Sequence, residues 1–192
     1  MKIRKLVVLT VALTLVGGSA IFAADTVSQK VKIILNKQEL DDAGTIVDGK
    51  AYVGVRSLGD VVQGFVSWDD SAKKVTIYKP NVHMFLMTGN KPFGSVQKGK
   101  NSFRVFAQID NLQTSISSFK VTIADPYGDE TWIDGRTSKD ADFPTDKDNF
   151  WFTSEDLSYE FKYSGKYTIR FWMKPSDNSP LQVVSEKTIV SK

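Results

Sequence analysis

The clearest feature of this chain is a strict two-residue alternation of apolar and polar side chains over its second half. Between Ser102 and Asp110, Phe103, Val105, Ala107 and Ile109 share one face while Arg104 falls on the other. Phe119, Val121 and Ile123 repeat the pattern in Ser118–Ala124, with Lys120 between them. Tyr159, Phe161 and Tyr163 predict a third stripe, and Tyr167, Ile169, Phe171 and Met173 a fourth, with Lys162 and Arg170 in the gaps. Such alternation is what a strand shows when one face is buried and the other is wet. Repeated stripes separated by turn residues, with no helical stretch, predict antiparallel sheets packed face to face over residues 81–192, and an immunoglobulin-like sandwich is the natural architecture. Ser164-Gly165-Lys166-Tyr167 resembles the approach to the strand that carries the tyrosine corner of such folds.

The pattern before Lys79-Pro80-Asn81 is different, and that tripeptide is the expected seam. Val31-Lys32-Ile33-Ile34-Leu35 reads as an apolar strand turned at Asn36-Lys37. Asp48-Gly49 is a two-residue hairpin signal joining Thr45-Ile46-Val47 to Ala51-Tyr52-Val53, because both residues tolerate the positive φ of a type I′ turn. Leu58, Val61 and Val62 recur at helical spacing, and Gly64 stands where that helix would end. Phe65-Val66-Ser67-Trp68 and Val75-Thr76-Ile77-Tyr78 flank the polar run Asp69–Lys74, which predicts a second hairpin. The expected fold is therefore mainly β: a small β-rich module with one short helix over residues 30–79, then the sandwich.

The order of these pieces is specific. Tyr52-Val53-Gly54-Val55-Arg56, a short helix, Gly64, Val66-Ser67-Trp68-Asp69 and Lys74-Val75-Thr76-Ile77 together resemble the copper amine oxidase N-terminal domain, or stalk domain. That module recurs in exported proteins of Gram-positive bacteria, which is the source the resemblance implies. Typical members read V-P-x-R before the helix and L-G-x-x-V-x-W-D after it. Here Gly54 stands where the proline is usual, and Val62-Gln63-Gly64 where Leu-Gly is usual. The likeness covers roughly residues 30–79 and implies a fold without implying chemistry, since the module is an appendage of the oxidase.

The N-terminus predicts export. Lys2, Arg4 and Lys5 precede an uncharged stretch from Leu6 to Ala24, broken by Gly17-Gly18 and ending in Ala20, Ala23 and Ala24 before Asp25. A positive start, an apolar middle and a small-residue exit make residues 1–24 a signal peptide, with cleavage expected after Ala23 or Ala24. The rival is a retained anchor, since about 20 apolar residues span a bilayer; membrane association is expected only in that case. The C-terminal Thr188–Lys192 carries no L-P-x-T-G sorting motif, so covalent wall attachment by that route is not expected. The chain has 25 Lys and Arg against 22 Asp and Glu; without Lys2, Arg4 and Lys5 the two signs balance at 22 each. A balanced mature chain lacks the clustered basic face that nucleic acid requires. With no cysteine, it is held by its own cores rather than by disulfides.

Catalytic chemistry has few side chains to use. A single histidine, His83, and no cysteine exclude a copper amine oxidase centre, which needs several histidines, and the common zinc sets. No G-x-S-x-G elbow is present to pair with His83. Paired carboxylates in a small glycoside hydrolase remain a third-ranked reading. No cofactor is expected, and the protein is read as a non-enzyme.

Two constellations stay in view. Asp140, Asp142, Asp146 and Asp148, around Pro144, form an acidic loop whose oxygens suit calcium, although no EF-hand spacing is present and Lys139 and Lys147 lie among the acids. The second is aromatic. Trp172 and Phe106 fall opposite the apolar stripes of their strands, and Trp151 alternates against Phe150 and Phe152. Rings turned outward on a sheet make a platform for sugars or for a partner protein. The expectation is a secreted or cell-surface accessory protein that binds a cell-envelope polymer or an extracellular protein. The alternative is a carbohydrate-binding module that stacks sugars on Trp132, Trp151 or Trp172.

Overall fold

The structure, a computed structural model, describes residues 29–35 and 38–192. The expected signal peptide, its cleavage site and the Asn36-Lys37 turn lie outside the described residues. The chain is mainly β and sandwich-like, with one short helix among the described residues. It divides into two compact units, one ending at Val53 and one running from Gly54 to Lys192.

The first unit holds a three-stranded antiparallel sheet of β1 (Gln29–Leu35), β2 (Gln38–Val47) and β3 (Lys50–Val53), in that order. Asp48 and Gly49 both adopt positive φ, 50° and 73°. This is the conformation a type I′ turn demands, and it sets Val47 directly opposite Lys50.

The second unit opens with α1 (Val55–Val62), then β4 (Phe65–Asp69) and β5 (Lys74–Tyr78), which pair as a hairpin. The left-handed residue that closes α1 is Gln63, at φ 55°, whose N–H returns to the Gly59 carbonyl. Gly64, expected as that cap, serves a different need. A Cβ there would sit 2.8 Å from the Tyr78 carbonyl oxygen, so only glycine lets β4 start against the end of β5.

The hairpin is fastened to the sandwich. Phe65 is buried in the sandwich core, with its ring 6.0 Å from that of Tyr78. The Tyr78 hydroxyl donates to the Asn111 carbonyl at 3.0 Å and accepts from the Gln113 N–H at 2.7 Å. Gln182 Oε1 accepts from the Val66 N–H at 3.2 Å. These bonds join residues on either side of the seam expected at residues 79–81, and the two compact units meet between Val53 and Gly54.

Two sheets make the sandwich. One runs β11 (Glu130–Thr137), β10 (Ser118–Ala124), β14 (Gly165–Lys174), β15 (Gln182–Ser191) and β8 (Ser95–Val96), antiparallel except for the β15–β8 pair. The other runs β12 (Phe150–Thr153), β9 (Gly99–Asp110), β6 (Asn81–Thr88) and β7 (Lys91–Pro92). Past β12, β13 (Leu157–Phe161) takes over the same edge of β9. Ser154 fills the gap between them. Its N–H donates to the Val105 carbonyl at 2.9 Å, and its hydroxyl accepts from the Val105 N–H at 2.9 Å, so the ladder continues through a side chain.

The expected stripes face each other across the core. Phe103, Val105, Ala107 and Ile109 meet Phe119, Val121, Ile123, Tyr167, Ile169, Phe171 and Met173, all buried. Each large apolar side chain withdrawn in this way contributes roughly 1.5–3 kcal/mol. Phe119 lies at the centre, stacked on Phe171 at 5.4 Å and edge-on to Phe152 at 5.0 Å. One stripe ends early. Phe161 is buried and Tyr159 half-buried, but β13 stops at Phe161 and Tyr163 is exposed, its ring edge-on to Tyr127 at 4.8 Å. The turn into β14 breaks the alternation there.

Candidate binding surface

The outward side of the β12–β9–β6 sheet carries a set of side chains that the core does not use. Cross-strand partners share a face, so the register assigns them. Trp151 stands opposite Gln108, and Gln108 opposite His83; Thr153 stands opposite Phe106, and Phe106 opposite Phe85. Trp151 is 74% exposed, because its neighbours Phe150 and Phe152 take the inward positions. Phe85 is 47% exposed, and its ring lies 6.2 Å from that of Phe106.

Two adjoining depressions cover this face. An apolar groove of about 500 Å³ is lined by Phe85, Met87, Pro92, Arg104, Phe106 and Thr153. A mixed groove of about 550 Å³ lies on the other side of Thr153, between Trp151 and the 138–149 loop. Its polar lining includes Gln108, Asp110, Arg136, Asp142 and Lys147. Gln108 Nε2 donates to both oxygens of Asp110, at 2.9 and 3.2 Å, which fixes the two planar groups together.

Arg136 is held in this lining by two carboxylates. Its Nε meets Asp142 Oδ2 at 2.7 Å and its Nη1 meets Asp134 Oδ1 at 2.7 Å. Its guanidinium also lies 5.5 Å from the centre of the Phe152 ring. The bond that Arg136 donates to Asp142, and more weakly the one to Asp134, raises the Arg136 pKa above its usual value against the cost of partial burial.

The acidic loop is tied to the rest of the chain by packing and hydrogen bonds. Phe143 at its middle is buried and stacks toward Phe119 at 6.2 Å. Asp140 accepts from the Thr137 N–H at 2.6 Å and from its hydroxyl at 3.0 Å, and these bonds hold its carboxyl below the ordinary range. Asp142 pairs with Arg136. Asp148 contributes its backbone carbonyl to the Leu112 N–H at 2.8 Å, and Asp146 adopts a left-handed φ of 54°. Among the described residues, no three His, Cys, Asp or Glu side chains come together as a metal-holding group.

The three aromatic candidates separate. Trp151 and Phe106 share the outer face of the β12–β9–β6 sheet. Trp172 lies on the outer face of the opposite sheet, where its Nε1 donates to Thr122 Oγ1 at 2.9 Å and Lys120 Nζ sits 5.0 Å from its ring centre. Its polar edge is satisfied and a cation lies over its ring, so Trp172 seals the buried Thr122. Trp132 stands opposite Thr122 on that second face and is 58% exposed.

No family model matches the chain, and no curated protein matches it. The surface has its own geometry: one indole without a ring partner among the described residues, two further rings and a fixed polar lining. Phe85, Gln108, Asp110 and Arg136 belong to it and were not singled out from the sequence. Val82-His83-Met84-Phe85-Leu86-Met87 is nearly all apolar, so alternation gives no sign that Phe85 faces out while Met84 and Leu86 are buried. The signal that was available for Gln108 and Asp110 is their position out of phase with the Phe103–Ile109 stripe.

Proposed function

We propose that this is an exported, non-catalytic binding protein of the cell surface. On this reading, a stalk-type segment over residues 30–79 leads into an immunoglobulin-like sandwich, and the sandwich presents the contact surface. The strand order supports the immunoglobulin-like part: β6, β9 and β13 lie on one side, and β11, β10, β14 and β15 on the other. The Asp48-Gly49 hairpin, the short α1 helix and the β4–β5 hairpin, in that order, support the stalk-type part. The partner is a cell-envelope polymer or an extracellular protein.

The observation that carries this reading is Trp151. A large ring 74% exposed on a strand whose alternate residues are locked into the core is positioned without being buried. Exposed aromatic surface rimmed by polar groups marks interaction sites. The test has two parts. Fractionation of the source culture should place the chain in the medium or the envelope rather than the cytoplasm. In co-sedimentation with isolated envelopes, the wild-type chain should pellet and Thr153→Arg, which obstructs both grooves from a position exposed on the outer face, should stay in solution. Cytoplasmic recovery would overturn the export reading, and equal pelleting of the variant would overturn the surface assignment.

A further inference from the structure

Building on the binding surface assigned above, we propose that the groove beside Trp151 takes a neutral, polyhydroxylated ligand: a glycan chain without ionised groups. Three features of the groove point to that chemistry together.

The first is the platform. The Trp151 indole is broad and open, and among the described residues it has neither a ring partner nor a hydrogen bond. The C–H face of a sugar ring needs such a flat apolar surface, while its edge needs polar partners. Trp172 offers the contrast, since Lys120 lies over its ring and Thr122 holds its N–H.

The second is the arrangement of polar groups next to that platform. The Gln108 amide donates to Asp110, which leaves the Gln108 carbonyl oxygen and further lone pairs on the Asp110 carboxylate to accept from hydroxyl groups. Arg136, fixed between Asp134 and Asp142, adds guanidinium N–H groups to the same lining. A hydroxyl both donates and accepts, so a lining that offers acceptors and donors together suits it.

The third is charge. The groove lining carries two cations, Arg136 and Lys147, and two anions, Asp110 and Asp142. A polyanion or a polycation would meet as much repulsion as attraction there, because opposite charges at the site cancel the field that would concentrate it. Phe106 and Phe85 extend the apolar floor beyond Thr153, which suits a chain longer than a single sugar.

The test is affinity electrophoresis of the full chain through gels containing β-glucan, mannan, xylan or glycol chitin, with polygalacturonate as the anionic control. At least one neutral polymer should retard the protein, with little dependence on salt. Trp151→Ala should weaken that retardation roughly tenfold or more, Asp110→Asn should weaken it with the fold intact by circular dichroism, and Trp172→Ala should leave it unchanged. Failure of all four neutral polymers to retard the chain, or retardation by polygalacturonate alone that fades with salt, overturns the proposal. Envelope co-sedimentation separates the two readings. If pelleting persists on envelopes but no neutral polymer binds, the glycan assignment falls and the binding function stands. If pelleting disappears once envelope proteins have been digested away, the partner is a protein.

Discussion

The hydroxyl of Tyr167 returns to the backbone of Tyr163, accepting from its N–H at 3.0 Å and donating to its carbonyl at 3.3 Å. The ring itself is buried against Phe161 at 4.9 Å. A single side chain thus packs the core and closes the turn between β13 and β14. Tyr167→Phe keeps the ring and strips both bonds, so it should cost about 1–3 kcal/mol. Urea unfolding would show this as a lower midpoint at unchanged slope; an unaltered midpoint would mean that water replaces the hydroxyl without loss.

The β4–β5 hairpin gives a second test. Its Phe65 lies in the sandwich core and Tyr78 is bonded to residues 111 and 113. A fragment beginning at Gly54 should therefore be more stable than one beginning at Asn81, by at least about 3 kcal/mol for the loss of a buried phenylalanine. Equal midpoints would show that the hairpin is a passive neighbour and that the functional seam lies at Pro80.

Asp140 has a pH signature. Thr137 donates two hydrogen bonds to its carboxylate and lowers its pKa in the folded state. A carboxyl with a depressed folded pKa stabilises the fold above its unfolded value of about 3.9, and that stabilisation disappears as pH falls through the folded value. The stability gap between wild type and Asp140→Ala should accordingly be constant near neutrality and shrink at acid pH. A gap that persists through the whole acid limb would contradict this. Carboxyl-detected NMR should place the Asp140 midpoint below that of an ordinary aspartate.

Much of the fold was legible because its chemistry is local. The Phe103–Ile109, Phe119–Ile123 and Tyr167–Met173 stripes, the Asp48-Gly49 turn and the aromatic corner at Tyr167 each follow from residues within a few positions of one another. Long-range features were not legible. That Ser154 would lend its hydroxyl to Val105, or that Gly64 would be needed for the Tyr78 carbonyl rather than for a helix cap, depends on pairings absent from any short window. The same holds at the surface. Alternation showed that Trp151, Phe106 and Trp172 turn away from the core. It did not show that the first two share one sheet while the third covers Thr122 on the other. Sheet order decides that, and sheet order is set by contacts between strands far apart in sequence.

The central claim, that Trp151 recognises a partner while Trp172 holds the fold, is tested most directly by measuring envelope affinity and unfolding midpoint for both alanine variants side by side. Trp151→Ala should lose about 2 kcal/mol of binding, roughly thirtyfold in affinity, with stability within about 0.5 kcal/mol of wild type. Trp172→Ala should bind as wild type and lose about 1–3 kcal/mol of stability, because the buried Thr122 hydroxyl is left without its partner. The reverse pattern, or equal binding by all three proteins, would contradict the assignment of the outer β12–β9–β6 face.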